Sequence, residues 1–191
     1  MEGIYGKIYR LAGPYLDTRE NDLHTRIAYS FALKLLEAER GDEKIVIPAV
    51  LLHDVGWKTI PEELQLKAFG PGKYNLEINR IHEVEGAKIA RDLLRQAGYD
   101  PALVDQIAEI ILGHDSRQEA ISHNDALVKD SDKLWRFSRE AIRIDPRRFR
   151  VDSVAHVVWL GRQIDGWFLT ATGKNMALAE HKLRLLELSM P

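Results

Sequence analysis

The stretch 46-VIPAVLLHDVGW-57 decides how this chain folds. An apolar run from Val46 to Leu52 leads straight into His53 and Asp54. Burying an imidazole and a carboxylate together is costly unless they are paired or bind a metal. An apolar run of this length reads as a buried strand or a buried helix. The helix is preferred, because Pro48 suits its first turn and the flanking segments are helical.

Working outward, helical periodicity dominates. From Asn21 to Glu39, Leu23, Ile27, Phe31, Ala32, Leu35 and Leu36 recur at helical spacing, and Gly41 stops the helix. Residues 59–79 contain FGPGKYN and a turn begun by Pro61, and read as a loop long enough to serve as a lid. Gly86, Ala87, Ala90, Leu93 and Leu94 form one face from Arg80 to Gln96, ended by Gly98. Asp100-Pro101 caps and opens a helix carrying Leu103, Ile107, Ile110 and Ile111. Another helix spans Asn124 to Ala141, and Asp145-Pro146 opens a further segment. Val154, Val158, Ile164, Trp167 and Phe168 line a helix over 152–171, broken by Gly173. Leu178, Leu183, Leu186 and Leu188 mark the last one. With no alternating strand pattern, the class is all-α and residues 1–191 form one domain.

Composition narrows the function classes. Lys plus Arg number 27 and Asp plus Glu 29, a net charge of −2, which gives no support for bulk nucleic-acid or anionic-membrane binding. Cysteine is absent, so disulfides, thiolate metal sites and cysteine nucleophiles are excluded. The start lacks the apolar core of a secretory signal, and no stretch reaches the roughly 18–20 apolar residues of a membrane helix. A cytoplasmic protein with no membrane partner is the expectation. Residues 151–191 complete the core or bury a homo-oligomer interface; periodicity does not choose between them.

The polar residues that interrupt apolar stripes form a set. His24 shares a face with Ala28, Phe31 and Leu35, and His82 with Gly86, Ala90 and Leu93. His114 follows Leu103, Ile107 and Ile110, and Asp132 falls between Val128 and Trp135. Taken singly, each histidine reads as a core histidine bonded to backbone, and each aspartate as a salt bridge or helix cap. Six such residues pointing inward from five helices, with His53 and Asp54 among them, are better explained by a divalent cation bound by imidazoles and carboxylates. His82-Glu83 does not continue into a His-Glu-x-x-His zinc helix, because Gly86 holds the fifth position. His114-Asp115 is a second His-Asp dyad, but Asp115 is rotated off the stripe carrying His114 and reads as a helix-end or loop residue.

The ordered series resembles the HD-domain superfamily of metal-dependent phosphohydrolases. The matching phrases are NDLHTRIAYSFALKLL, AVLLHDVGWK, HEVEGAKIARDLL, IAEIILGHDS and ALVKDSDKLW, over roughly residues 20–140. The resemblance implies a compact HD-type helical bundle, with residues 145–191 as additional C-terminal helices. It implies that His24, His53, Asp54 and Asp132 bind a divalent metal (Mn, Fe, Mg, Co, Ni or Zn), with Asp130 as the fallback ligand. His82 and His114 stand where branches of the family hold a second ion, and there Asp54 would bridge the two. Lys58 matches the family's lysine after the dyad, displaced by one position by Trp57, and would contact a substrate phosphate. Arg117 is the weaker candidate for that role. The implied activity is hydrolysis of a small phosphate ester or nucleotide by a metal-activated water, with Asp54 and Lys58 catalytic. Two alternatives use the same fold: a di-iron oxygenase similar to myo-inositol oxygenase, and a non-catalytic nucleotide-binding module.

Overall fold

In the computed structural model, which describes residues 1–68 and 75–189, the dyad segment is a helix, α3 (Glu43–Leu52). Residues 45–52 are buried without interruption. A helix that is apolar all round needs neighbours on every side. Here α1 (Gly3–Leu16), α2 (Asn21–Ala38), α6 (Pro101–Ile111) and α7 (His123–Trp135) all pack against it. Pro48 does not sit in the first turn as expected but inside the helix. A proline there leaves the carbonyl four residues back without its amide donor. That carbonyl belongs to Lys44, and the Tyr99 hydroxyl donates to it at 2.6 Å.

The remaining elements are a 3-10 turn (Val55–Thr59), α4 (Glu62–Ala68), α5 (Leu76–Ala97), α8 (Arg139–Phe149), α9 (Ser153–Trp167) and α10 (Ala171–Ser189). No strand occurs among the described residues, so the all-α expectation holds. Among the described residues no helix is long and apolar enough to cross a membrane. Side-chain caps fix many starts: Asp42, Asn75, Asp100, Ser122, Ser138 and Asp152 each accept from a backbone amide of the first turn, at about 1 kcal/mol each.

Several boundaries differ from the periodicity reading. Helix α1 was not singled out, although Ile8, Ala12 and Leu16 are buried. Asn75 caps α5, which therefore begins four residues earlier than Arg80. The expected lid over residues 59–79 contains α4, and most of FGPGKYN lies outside the described residues. The helix read over Asn124 to Ala141 is two, because the chain leaves α7 after Trp135 and Ser138 caps α8. Asp145-Pro146 lies within α8 rather than opening a segment, and Gly173 lies within α10 rather than breaking α9. Gly173 is small for a contact reason: a methyl group there would overlap the Asp130 carboxylate. Val154 and Val158 face solvent, while Val157, Leu160, Ile164, Phe168 and Ala177 join the main core. Among the leucines of α10, Leu178, Leu183, Leu186 and Leu188 are exposed.

Candidate metal centre

The ends of α3 and α6 are built alike. A helix C-terminus leaves its last carbonyls without intrahelical donors. His53 Nδ1 bonds the Val50 carbonyl at 2.7 Å, and His114 Nδ1 bonds the Ile111 carbonyl at 2.8 Å. Each histidine thus caps the carbonyl three residues back. The bond assigns the proton to Nδ1 and turns Nε2 inward. His24 projects from α2, His82 from α5 and Asp132 from α7.

These side chains meet in two groups that share Asp54. In the first, His24 Nε2 lies 3.0 Å from Asp132 Oδ1 and 3.3 Å from His53 Nε2. His53 Nε2 lies 3.6 Å from Asp132 Oδ1 and 3.7 Å from Asp54 Oδ2. In the second, His82 and His114 bring their Nε2 atoms to 3.3 Å, and Asp54 Oδ1 lies 3.9 and 3.6 Å from them. Asp115 Oδ2 completes this group at 3.7 Å from His82 and 3.9 Å from His114. The sequence-expected His24, His53, Asp54, His82, His114 and Asp132 are therefore together. Asp115, read from sequence as a loop residue, joins them; the repeated His-Asp dyad was the signal for it.

The surroundings hold these groups in place. Trp57 Nε1 donates to Asp54 Oδ1 at 3.0 Å, and Asn21 Nδ2 donates to the Asp54 carbonyl at 3.1 Å. Lys133 Nζ spans Asp115 Oδ1 at 2.8 Å and Asp132 Oδ2 at 3.0 Å. Glu83, fully buried, accepts from the amides of Asp115 and Ser116 and from the Ser116 hydroxyl, fixing the loop after α6. Lys129 secures the same loop through the carbonyls of Gly113, His114 and Arg117. Trp57 stacks on His82 with ring centroids 4.0 Å apart, and Trp135 stacks on His24 at 5.1 Å. Gly56 lets the 3-10 turn touch α5, since a methyl group on it would overlap the His82 carbonyl. That contact, more than chain reversal, is its reason.

The donor set fits divalent cations. Two buried carboxylates, Asp54 and Asp132, converge with the partly buried Asp115 and need positive charge. Without a metal, neighbouring imidazoles take protons instead: burial alone would lower His114, but Asp54 and Asp115 outweigh it and raise it to about 9. Asp54 and Asp132 likewise outweigh burial at His53 and raise it. His82 moves the other way, to about 4, through burial and the neighbouring His114. Burial opposes ionisation of Asp54 and Asp132, yet adjacent imidazoles hold Asp54 well below the usual carboxylate range, and Lys133 with His24 does so for Asp132. Three sets, His24–His53–Asp132, His53–Asp54–His114 and His82–His114–Asp115, each bring their donor atoms within 4.8 Å of one another, as an ion requires.

The centre opens into a narrow cleft of about 30 Å³, lined by Arg19, Asn21, His24, Asp54, Trp57, Asp115, Asp132, Trp135, Arg136 and Arg148. Lys58 and Arg117 are not brought there. Lys58 is exposed and donates to the Asp17 carbonyl, because the 3-10 turn sends it outward. Arg117 packs on Gly113 and bonds the Glu109 carbonyl and Asp125. Asp130 is one turn-face away from the centre. It accepts from the Leu169 and Thr170 amides and the Thr170 hydroxyl, tying α7 to the start of α10. The cleft arginines carried no sequence signal, since two lie outside any apolar stripe and one follows the last ligand helix.

Comparisons with known proteins agree with this fold. The family model for the HD domain matches residues 22–136, more than half of the chain. A crystal structure of a predicted HD superfamily hydrolase from an uncultured Thermotogales bacterium is similar in fold. Its TM-score is 0.64 over 95% of this chain and 87% of that one, at 20% sequence identity. No curated protein matches the chain significantly.

Proposed function

The chain belongs to the HD-domain family, and from that premise we propose that it is a metal-dependent phosphohydrolase acting on a small phosphate ester or nucleotide. The observation that carries the reading is Asp54, with one carboxylate oxygen toward His24 and His53 and the other toward His82 and His114. A carboxylate so placed suits a bridge between two divalent ions. His24, His53 and Asp132 would hold one, and His82, His114 and Asp115 the other. Such a pair supplies a water of lowered pKa and Lewis acidity toward a phosphoryl oxygen.

The protein's own groups do the rest. Asp54, fixed by Trp57 and Asn21, keeps the two ligand groups in register. Lys133 keeps Asp115 and Asp132 ionised at neutral pH, with burial opposing. Asp115 lines the cleft and, as a carboxylate, can accept a proton but not donate one. Trp57 and Trp135 wall the cleft, and cationic side chains at its mouth offset phosphate charge. The sequence-expected phosphate role of Lys58 passes in this proposal to those arginines. The exposed leucines of α10 support a homo-oligomer, which gel filtration of the purified protein tests.

The experiment is phosphate release from a panel of phosphate esters and nucleotides by protein reconstituted separately with Mn, Fe, Mg, Co, Ni and Zn. Turnover that disappears with chelator and returns with metal is expected. Intact metal binding without any turnover overturns the hydrolase reading. Oxygen uptake by the iron-loaded protein without phosphate release would replace it with the oxygenase alternative.

A further inference from the structure

The mouth of the cleft carries a cationic cluster that the ligand groups do not use. Arg19 comes from the link between α1 and α2, Arg136 from the end of α7 and Arg148 from the last turn of α8. All three line the same cavity as His24, Asp54, Asp115 and Asp132. One occupant can therefore touch both.

The cluster is built into the fold. Asp145, 1% exposed, lies 3.0 Å from one Arg148 nitrogen and 3.7 Å from Arg136. The other terminal nitrogen of Arg148 donates to the Arg19 carbonyl at 2.8 Å. Arg19 and Glu20 both hold left-handed backbone conformations, at φ of 48° and 60°. Non-glycine residues there cost on the order of 1 kcal/mol each. The Arg148 bond spans 129 residues of sequence to hold that link. The result sets the Arg19 guanidinium 4.5 Å from the centre of the Trp57 ring, at the edge of the cleft. Burial and the nearby Arg148 and Arg136 bring Arg19 down to about 10, against the pull of Asp54, as expected of guanidiniums crowded round one space.

The charges point to the class of ligand. Asp145 is the buried carboxylate paired with Arg136 and Arg148; Glu20, a further acidic partner of Arg148, is more than half exposed and weakened by solvent, and Asp54 and Asp115 pull on Arg19 from the ligand side of the cleft. Guanidiniums gathered in one cleft suit an anion such as a phosphate monoester, which carries about −1.5 to −2 at neutral pH. Guanidiniums also suit phosphate oxygens through paired donors.

We propose that Arg19, Arg136 and Arg148 bind a second phosphoryl group, so that the substrate is a small bisphosphorylated molecule. One phosphate is hydrolysed at the ligand centre while the other is held at the mouth. This rests on the phosphohydrolase reading for the hydrolysed group only. In the reaction water adds to phosphorus and the P–O ester bond breaks. The leaving oxygen takes the proton that water gives up, releasing inorganic phosphate and a monophosphorylated alcohol.

The test compares three probes of matched length by calorimetry and by phosphate release: 1,3-propanediol bisphosphate, propyl phosphate and 3-phosphopropanoate. Full-length, metal-reconstituted protein is used. The bisphosphate is expected to bind at least tenfold more tightly than propyl phosphate. R136Q and R148Q should each shrink that preference severalfold, with R148K restoring part of it. R136Q guards against a folding defect, since its ion pair is the longer one, and thermal melts accompany both variants. Equal affinity for bisphosphate and monophosphate, a preference unchanged in both variants, or no binding overturns the proposal. So does 3-phosphopropanoate binding as tightly as the bisphosphate, which would assign the cluster to a carboxylate. A bisphosphate preference without phosphate release would keep the arginine subsite and remove the hydrolase reading. Phosphate release without the preference would do the reverse.

Discussion

The two His-Asp dyads use the same local device and end in different environments. His53 and His114 both cap the carbonyl three residues back and present Nε2 inward. The aspartates that follow differ. Asp54 is gripped by Trp57 and reaches both ligand groups, whereas Asp115 is paired with Lys133 and serves one. The groups differ in access too. His24, Asp54 and Asp132 line the cleft, but in the second group only Asp115 does, with His82 sealed beneath Trp57. The same dyad can thus yield an aspartate shared by two ligand groups or one confined to a single group, depending on what packs around it.

The comparison breaks most completely at the shared residue. Asp54→Ala is expected to empty both groups, lowering bound metal toward zero by elemental analysis. Turnover should fall by about a thousandfold or more, the scale of losing a central electrostatic group. Retention of one full equivalent would show that Asp54 does not bridge. Next come the paired variants His53→Gln and His82→Gln. Each should remove about one equivalent, and the first should reduce turnover more, because its group faces the cleft. Equal losses would erase the distinction between an open and a sealed group.

Proton competition sharpens the contrast within the second group. His114 is raised to about 9 in the metal-free protein, while His82 is lowered to about 4. A protonated imidazole cannot ligate, so metal must displace the His114 proton at pH 7 but meets a neutral His82. Affinity should therefore climb from pH 7 toward about 9, with proton release seen in buffers of different ionisation enthalpy. A flat affinity across that window contradicts the assignment. By linkage, the raised His114 stabilises the metal-free fold fully below the unfolded value near 6.5, and that stabilisation is lost as pH rises through about 9.

Smaller effects belong to the supports. Lys133→Met should weaken metal binding by about 10- to 100-fold, as losing a residue that orients ligands does. Lys129→Met leaves two buried carbonyls and a part-buried one with a lost donor and should cost about 2 kcal/mol. In a chain of this size that is a fall in melting temperature of about 4–8 °C. A melt unchanged in Lys129→Met would mean that the loop after α6 is held by Glu83 alone.

Much of the fold and centre was legible because it depends on spacing. His24, His82 and Asp132 sit on helical stripes, and those stripes fix which face each side chain takes. Asp115 was read against its stripe and placed in a loop, correctly as local structure. Its approach to His82 depends on Glu83 catching the two amides of that loop, a contact between residues 32 and 33 apart in sequence. Lys58 was read from its distance to the dyad, but a 3-10 turn rotates side chains differently from an α-helix and carries it outward.

The sequence by itself determined most of the helices, the apolar character of α3 and six polar side chains turned inward, because periodicity is a local property of the chain. The tertiary structure alone decided that Asp54 lies between two histidine pairs, that Lys133 joins Asp115 to Asp132, and that Arg19, Arg136 and Arg148 gather at one mouth. Those outcomes depend on how helices distant in sequence cross, and on single contacts such as Arg148 with the Arg19 carbonyl. No pattern along the chain encodes them.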